Sequence, residues 1–436
     1  GVWPSVGYLH LSCVNSQWHR LALSSVTKLK VENLWLTDRN SDASKWINSV
    51  NGWFGRYHGE HQRCFLESIT LRIGLMRTNV PSIMDNIVDY CRFISLNLSC
   101  NFLGTEGARV IIQRLVMDEG RNTLASLNLS NNKIEDGAIV DLANALITNT
   151  SLHTLNLSMN YFSTRGITAL FDTLAQHNQS LTDLNIEGMP INEAAASIAN
   201  ALRSNVASLS RPDCALTTLE INNNNLEDEG LFELCKLFRH NSSLTRLSMR
   251  SNNLTFCGVS HLCHALSFSN VQLRELDLSN NPLSSNAALY LGYLFDHCPN
   301  KTLQICRLRF CQIDGNGCQV ISQALRSNTS LTYLDLNGNN IKPEGCRELA
   351  TLISANQTLK TLKLGNNSIG NQGATYLAAS LKDNKTLTSL DLENNDITIC
   401  GAHQIIEALK VNDTLHDINL WVCNVPRNLR LFLKKS

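Results

Sequence analysis

Apolar positions recur along this chain in one fixed frame, with leucine at positions 1, 4, 6 and 11 and asparagine at position 9: L-x-x-L-x-L-x-x-N-x-L. The segment starts at Leu124, Leu152, Leu181, Leu216, Leu244, Leu273, Leu303, Leu331, Leu359, Leu387 and Leu415, and an altered copy (FISLNLSCNFL) starts at Phe93. The last five starts are each 28 residues apart. Self-similarity at such a period predicts a repeat architecture. Within each unit Leu334, Leu336 and their equivalents alternate with polar residues, which predicts a short strand buried on one side. A Gly or Ala follows, with apolar residues four and eight positions on, as in Gly166–Leu170–Leu174, Gly373–Leu377–Leu381 and Gly401–Ile405–Leu409. That spacing puts the apolar residues on one face of a helix. Asparagine at the helix end (Asn149, Asn178, Asn328, Asn356, Asn384, Asn412) suits a left-handed C-cap.

One strand and one helix per unit predict an α/β fold: a right-handed solenoid, horseshoe-shaped, with parallel strands on the concave face and helices on the convex face. The motif resembles the ribonuclease-inhibitor-like class of leucine-rich repeats, over residues 93–425 as twelve repeats of about 28 residues. The resemblance implies that the motif asparagine (Asn132, Asn160, Asn224, Asn252, Asn281, Asn339, Asn367, Asn395) points inward and hydrogen-bonds the neighbouring loop backbone. Cys311 and Cys423 take that position, and Met189 replaces it once. Twelve strands at ordinary spacing would give an inner surface on the order of 50 Å long, the scale of a protein partner rather than a metabolite.

Residues 1–92 are less regular. Val26–Val31 and Leu66–Leu71 read as two degenerate repeats within 26–92, around an insert rich in aromatics (Trp46, Trp53, Phe54 and Tyr57, with Arg56). The insert is either a contact loop or a cap on the open end of the core. Residues 1–25 hold Leu9–Ala22, in which Val14, Trp18, Leu21 and Ala22 match the second half of an F-box. This partial resemblance implies a module in which Val14, Trp18 and Leu21 bind the Skp adaptor of a cullin ubiquitin ligase, while the repeats choose the substrate. A plain N-terminal cap helix explains the same residues. The Leu-Pro helix with which an F-box opens would lie upstream of Gly1, and Trp3-Pro4 does not replace it. The chain begins on Gly1 rather than Met, so either it is a fragment, or the F-box-like module is degenerate and binds no adaptor. Residues 426–436 read as a basic tail.

Charge and composition narrow the partners. The 37 basic and 37 acidic side chains balance, which argues against nucleic acid or a membrane surface as partner. No apolar run has the length of a membrane helix and no signal segment opens the chain. The 15 cysteines are odd in number and several sit at equivalent repeat positions, so they read as reduced core thiols of a cytoplasmic protein, with the nucleus an alternative. Catalytic motifs, cofactor signatures and metal sites are not expected. Gly365–Gly370 has the outer glycines of a phosphate loop but Asn371 and Gln372 where Lys and Ser/Thr are needed. His58, His61 and Cys64 lie close in sequence without a fourth zinc ligand at suitable spacing.

Positions 3, 5, 7 and 8 should face the hollow, where Ser, Thr and Asn prevail, as in Ser126, Asn128, Ser130 and Asn131. Glu220, Arg246, Arg250, Glu275, Asp277, Arg307, Arg309, Phe310, Tyr333, Asp335, Lys363, Asp391, Glu393 and Trp421 break that pattern. Arginine and aromatic side chains anchor interfaces, which makes Arg246, Arg250, Arg307, Arg309, Phe310, Tyr333 and Trp421 candidates to bind a protein partner. Alternatively the charges form a ladder of ion pairs, with Arg250 between Glu220 and Asp277. The expected function is protein recognition, not catalysis: the substrate-selecting subunit of a Skp–cullin–F-box ligase, or a free-standing scaffold or sensor-like recognition protein. A regulator of a small GTPase ranks third, since the chain ends in Arg427, Arg430, Lys434 and Lys435 rather than an acidic tail.

Overall fold

The computed structural model describes residues 8–10, 28–32, 64–72, 75, 80, 81, 84, 91–117, 123–202, 215–239, 243–269, 271–297, 302–421 and 423. They fall in two compact units, residues 1–190 with 214–217, and residues 191–213 with 218–436. The first holds β1 (Tyr8–His10), β2 (Lys28–Glu32), β3 (Cys64–Arg72), β4 (Cys91–Asn97), β5 (Ser126–Asn128), β6 (Thr154–Asn156) and β7 (Asp183–Asn185). The second holds β8 (Thr218–Glu220), β9 (Arg246–Ser248), β10 (Glu275–Asp277), β11 (Ile305–Arg307), β12 (Tyr333–Asp335), β13 (Thr361–Lys363), β14 (Ser389–Asp391) and β15 (Asp417–Asn419).

Within each unit every strand pairs in parallel with the next, in the register of the motif. Leu29, Ile69, Leu96, Leu127, Leu155 and Leu184 align in the first unit. Leu219, Leu247, Leu276, Cys306, Leu334, Leu362, Leu390 and Ile418 align in the second. Thus the two degenerate repeats each supply a strand, and Leu9 and His10 of the F-box-like stretch are extended in β1. Val14, Trp18 and Leu21, the aromatic insert and the basic tail lie outside the described residues. Among the described residues a helix follows each strand from β4 to β14, such as Asp136–Leu146, Gly315–Leu325 and Lys342–Ala355. The core lies between the layers: Leu331, Leu334, Leu336 and Ile341 from the strand side meet Cys346, Leu349 and Ile353 from the helix, all buried. Each unit has the α/β leucine-rich-repeat solenoid fold.

Buried asparagines tie the repeats together. Asn367 Oδ1 accepts the N–H of Asn339 at 3.0 Å, and its Nδ2 donates to the carbonyls of Leu336 and Leu364 at 2.9 and 3.0 Å. Asn132, Asn160, Asn252, Asn281, Asn339 and Asn395 donate in the same way, joined by Asn101 of the altered copy. Cys311 and Cys423 substitute a thiol, each donating to the equivalent carbonyl of the preceding repeat, Leu278 at 3.4 Å and Leu392 at 3.3 Å.

At the helix ends the structure corrects the expected left-handed caps. Asn356 has φ −80° and ψ 135°, and none of the six asparagines has positive φ. The chain passes from helix straight into extended backbone toward the next strand, so the cap is made by the side chain. Asn356 Nδ2 donates to the carbonyls of Leu325 and Asn328 one repeat earlier, and its Oδ1 accepts from Thr358 and Leu359. Left-handed backbone instead occurs at position 8, from Cys100 through Phe310 to Asn394. There the chain turns out of the strand while its N–H still reaches the next repeat, as Phe310 does to the Asn337 carbonyl at 2.9 Å.

Candidate recognition surface on the strand face

The side chains at positions 3, 5 and 7 stand on the sheet face away from the helices, and most serve the fold. At position 5 an Asn or Asp accepts the N–H of position 7: Asn128 from Ser130, Asn156 from Ser158, Asp277 from Ser279, Asp335 from Asn337 and Asp391 from Glu393, all within 3.1 Å. This closes the turn at the strand's end. Asp277, Asp335 and Asp391 are therefore buried turn residues.

Three repeats of the second unit lack that carboxylate or amide, carrying Ser248, Arg307 and Lys363 at position 5. In each, position 7 of the preceding repeat takes over. Asn222 accepts from the N–H of Arg250 at 2.9 Å, Ser279 Oγ from Arg309 at 3.3 Å, and Asn337 from Gly365 at 2.6 Å. The turn is satisfied from next door, and Arg307 and Lys363 are released from the turn's requirement.

Around Arg307 the candidate residues converge. Glu275 on β10 bonds Arg307 on β11 and, at 2.9 Å, Arg246 on β9. The Arg307 guanidinium lies 5.3 Å from the centre of the Tyr333 ring on β12. Partial burial would lower its pKa, but the hydrogen bond and charge of Glu275 outweigh this and raise it, so the cation is secure. Arg309 stands 3.9 Å from Asp335 and 5.9 Å from the centre of the Phe310 ring. Burial raises the Asp335 carboxyl above its ordinary value, against the N–H of Asn337 and the Arg309 charge.

Phe310 is half-exposed in left-handed backbone, φ 51°. Most residues at this place are small or amidic, because a bulky side chain there is strained. Its ring lies across Gly338, the position-8 residue of the next repeat (φ 69°), where a Cβ would fall 2.2 Å from the ring. Phe310 and Gly338 are a matched pair. Arg246, Arg307, Arg309, Phe310 and Tyr333 therefore form one patch. Arg250 is exposed beyond β9, and Trp421 follows β15 four strands from β11, roughly 19 Å at ordinary strand spacing.

Acid–base chemistry is disfavoured at the buried thiols. Burial pushes Cys235, Cys311 and Cys346 up to about 12, and Cys306 and Cys318 are raised as well. A thiol so raised is not a nucleophile at neutral pH. Among the described residues no group of three His, Cys, Asp or Glu could hold a metal ion; His58 and His61 lie outside them. No described helix is long and apolar enough to cross a membrane.

Family models described as Leucine Rich repeat match residues 122–143, 148–171, 214–235, 327–350, 355–378 and 383–398, and a further Leucine Rich Repeat model matches 272–294. These matches lie within the repeat region and agree with the leucine-rich-repeat fold of the structure. It is similar to the NACHT, LRR and PYD domains-containing protein 12 of Mus musculus, 30% identical over 249 residues, covering 57% of this chain and 23% of that protein. To the ribonuclease inhibitor of Mus musculus it is 27% identical over 279 residues, covering 64% of this chain and 59% of the inhibitor. A solved structure described as the Rad7 and Elc1 complex in yeast aligns over 90% of this chain and 85% of that one, with 15% identity and a TM-score of 0.49. This chain thus spans less than a quarter of that NACHT relative and about three-fifths of the inhibitor.

Proposed function

We propose that the chain is a recognition module that binds a protein partner on the strand face of its second unit, through Arg246, Arg307, Arg309, Phe310 and Tyr333. The observation that carries this reading is the release of Arg307: the fold asks for Asn or Asp at its position, and Ser279 of the neighbouring repeat fills that need instead. A side chain kept against a local structural preference, beside a strained exposed aromatic, points to selection for contact. Arg250 and Trp421 are assigned peripheral roles on the same basis. The repeat region takes residues 93–425.

The relatives with NACHT, LRR and PYD domains favour a repeat part of a sensor-like recognition protein. The ligase reading rests on the F-box-like stretch alone, with Val14, Trp18 and Leu21 as its adaptor contacts and the Skp adaptor and cullin as its partners. Affinity capture from cell extract, comparing the wild type with Arg307→Ala/Arg309→Ala and with Trp18→Ala, separates these. Partners lost only in the arginine variant support strand-face recognition. Skp adaptor and cullin lost only in Trp18→Ala would establish the ligase role. Partners retained in full by both variants would refute both assignments.

A further inference from the structure

The patch has a vertical order of charge that the neutral total conceals. Its acids form the floor: the Glu275 and Asp335 side chains are 16% and 5% exposed. Its cations form the top, with Arg246, Arg307 and Arg309 at 53%, 28% and 47%. Lys363, on β13 beside Asp335, extends the cationic side. A partner approaching β9–β13 therefore meets guanidinium and aromatic groups, with carboxylates beneath them.

From this layering, and resting on the recognition role proposed above, we infer that the partner presents an acidic protein segment carrying an apolar side chain. Its carboxylates bridge Arg307 and Arg309, and the apolar group packs on the exposed side of Phe310. Planar guanidinium forks suit carboxylates. A nucleic-acid backbone is a poorer fit, because it needs a continuous cationic track, and here Glu275 and Asp335 interrupt the cations from below. Glu275 is the internal competitor. It holds Arg246 and Arg307 in place while the face is empty and shares them when a partner carboxylate arrives.

The test uses the whole chain and fluorescein-labelled probes: a peptide alternating Glu and Phe, its Gln–Phe and Glu–Ser counterparts, and an oligothymidylate of equal charge. The Glu–Phe peptide should bind about tenfold or more tightly than the Gln–Phe peptide. Arg307→Ala and Arg309→Ala should abolish that preference, and Glu275→Gln should strengthen binding severalfold. Phe310→Ala should weaken the Glu–Phe peptide and leave the Glu–Ser peptide alone. Arg165→Ala, on a helix of the other unit, is the control expected to match the wild type. Absence of measurable binding, equal binding of the Gln–Phe peptide, tighter binding of the oligothymidylate, or indifference to Arg307→Ala would each overturn the inference. If a captured partner depends on Arg307 and Arg309 yet is not displaced by the Glu–Phe peptide, recognition by this face stands and the acidic partner falls.

Discussion

At the scale of single residues, the Phe310–Gly338 pair is the sharpest feature. Gly338→Ala would drive a Cβ into the Phe310 ring at a left-handed backbone position. Its expected cost is about 1–3 kcal/mol in urea unfolding. In a Phe310→Ala background the same change should cost less, because only the backbone strain remains. Equal costs in the two backgrounds would show that the ring does not rest on Gly338. The motif asparagines give a second residue-scale prediction. Asn367→Ala removes an acceptor and a donor from buried backbone groups, each worth roughly 1–3 kcal/mol when left unpaired. A loss below about 1 kcal/mol would mean that water replaces the side chain. Thiol labelling read by peptide mapping should modify exposed Cys100, Cys257 and Cys400 in the native protein while sparing Cys306, Cys311, Cys318 and Cys346.

At the scale of elements, helices are capped from the neighbouring repeat as well as from their own. Asp136 accepts from Ser163 and Gly166, Asp228 from Thr255, and Asn371 from Thr398 and Gly401. Asp314 caps its own helix through Asn316 and Gly317 and accepts from the Ser285 hydroxyl of the repeat before. The Ser285 bond, with those two amides, outweighs burial and holds the Asp314 carboxyl below its ordinary value. A depressed folded-state pKa contributes stability above the unfolded-state value and loses it as pH falls through the folded-state value. Asp314→Ala should therefore be less stable than wild type at neutral pH, and the gap should close as pH drops below the carboxylate range. A gap independent of pH would assign the loss to packing. How legible the elements are from sequence differs by kind. Strands and helix faces follow from the leucine frame, and Asn160 or Asn367 from the motif. The backbone of the helix-end asparagines is not legible in the sequence, because their role depends on a neighbour 28 residues away, Asn328 for Asn356. The sequence pattern marks which residue is needed there, whereas the partner that fixes its side chain lies in the preceding repeat.

At the scale of the molecule, the described strands and helices within each unit pack on those of adjoining repeats, so stability is set by repeat interfaces. The same adjacency makes a binding patch out of residues far apart in sequence: Arg246, Glu275, Arg307 and Tyr333 come from four successive strands. The candidates are legible in the sequence as breaks in a bland column. The hand-over from position 5 to the preceding position 7 was legible too, in Ser279 before Arg307 and Asn337 before Lys363, once the role of the regular Asn or Asp is known. What one frame of letters does not show is depth, and depth decides that Glu275 and Asp335 lie beneath while Arg246 and Arg309 stand outward.

On the proposed function, this patch holds the partner. The most direct measurement is the affinity of a captured partner for wild type and for Arg307→Ala/Arg309→Ala, with thermal unfolding of both recorded alongside. A loss of about a hundredfold or more is expected, as for paired interface anchors, with little change in the melting midpoint. Equal affinity in a folded double variant would contradict it and move the binding surface elsewhere on the chain.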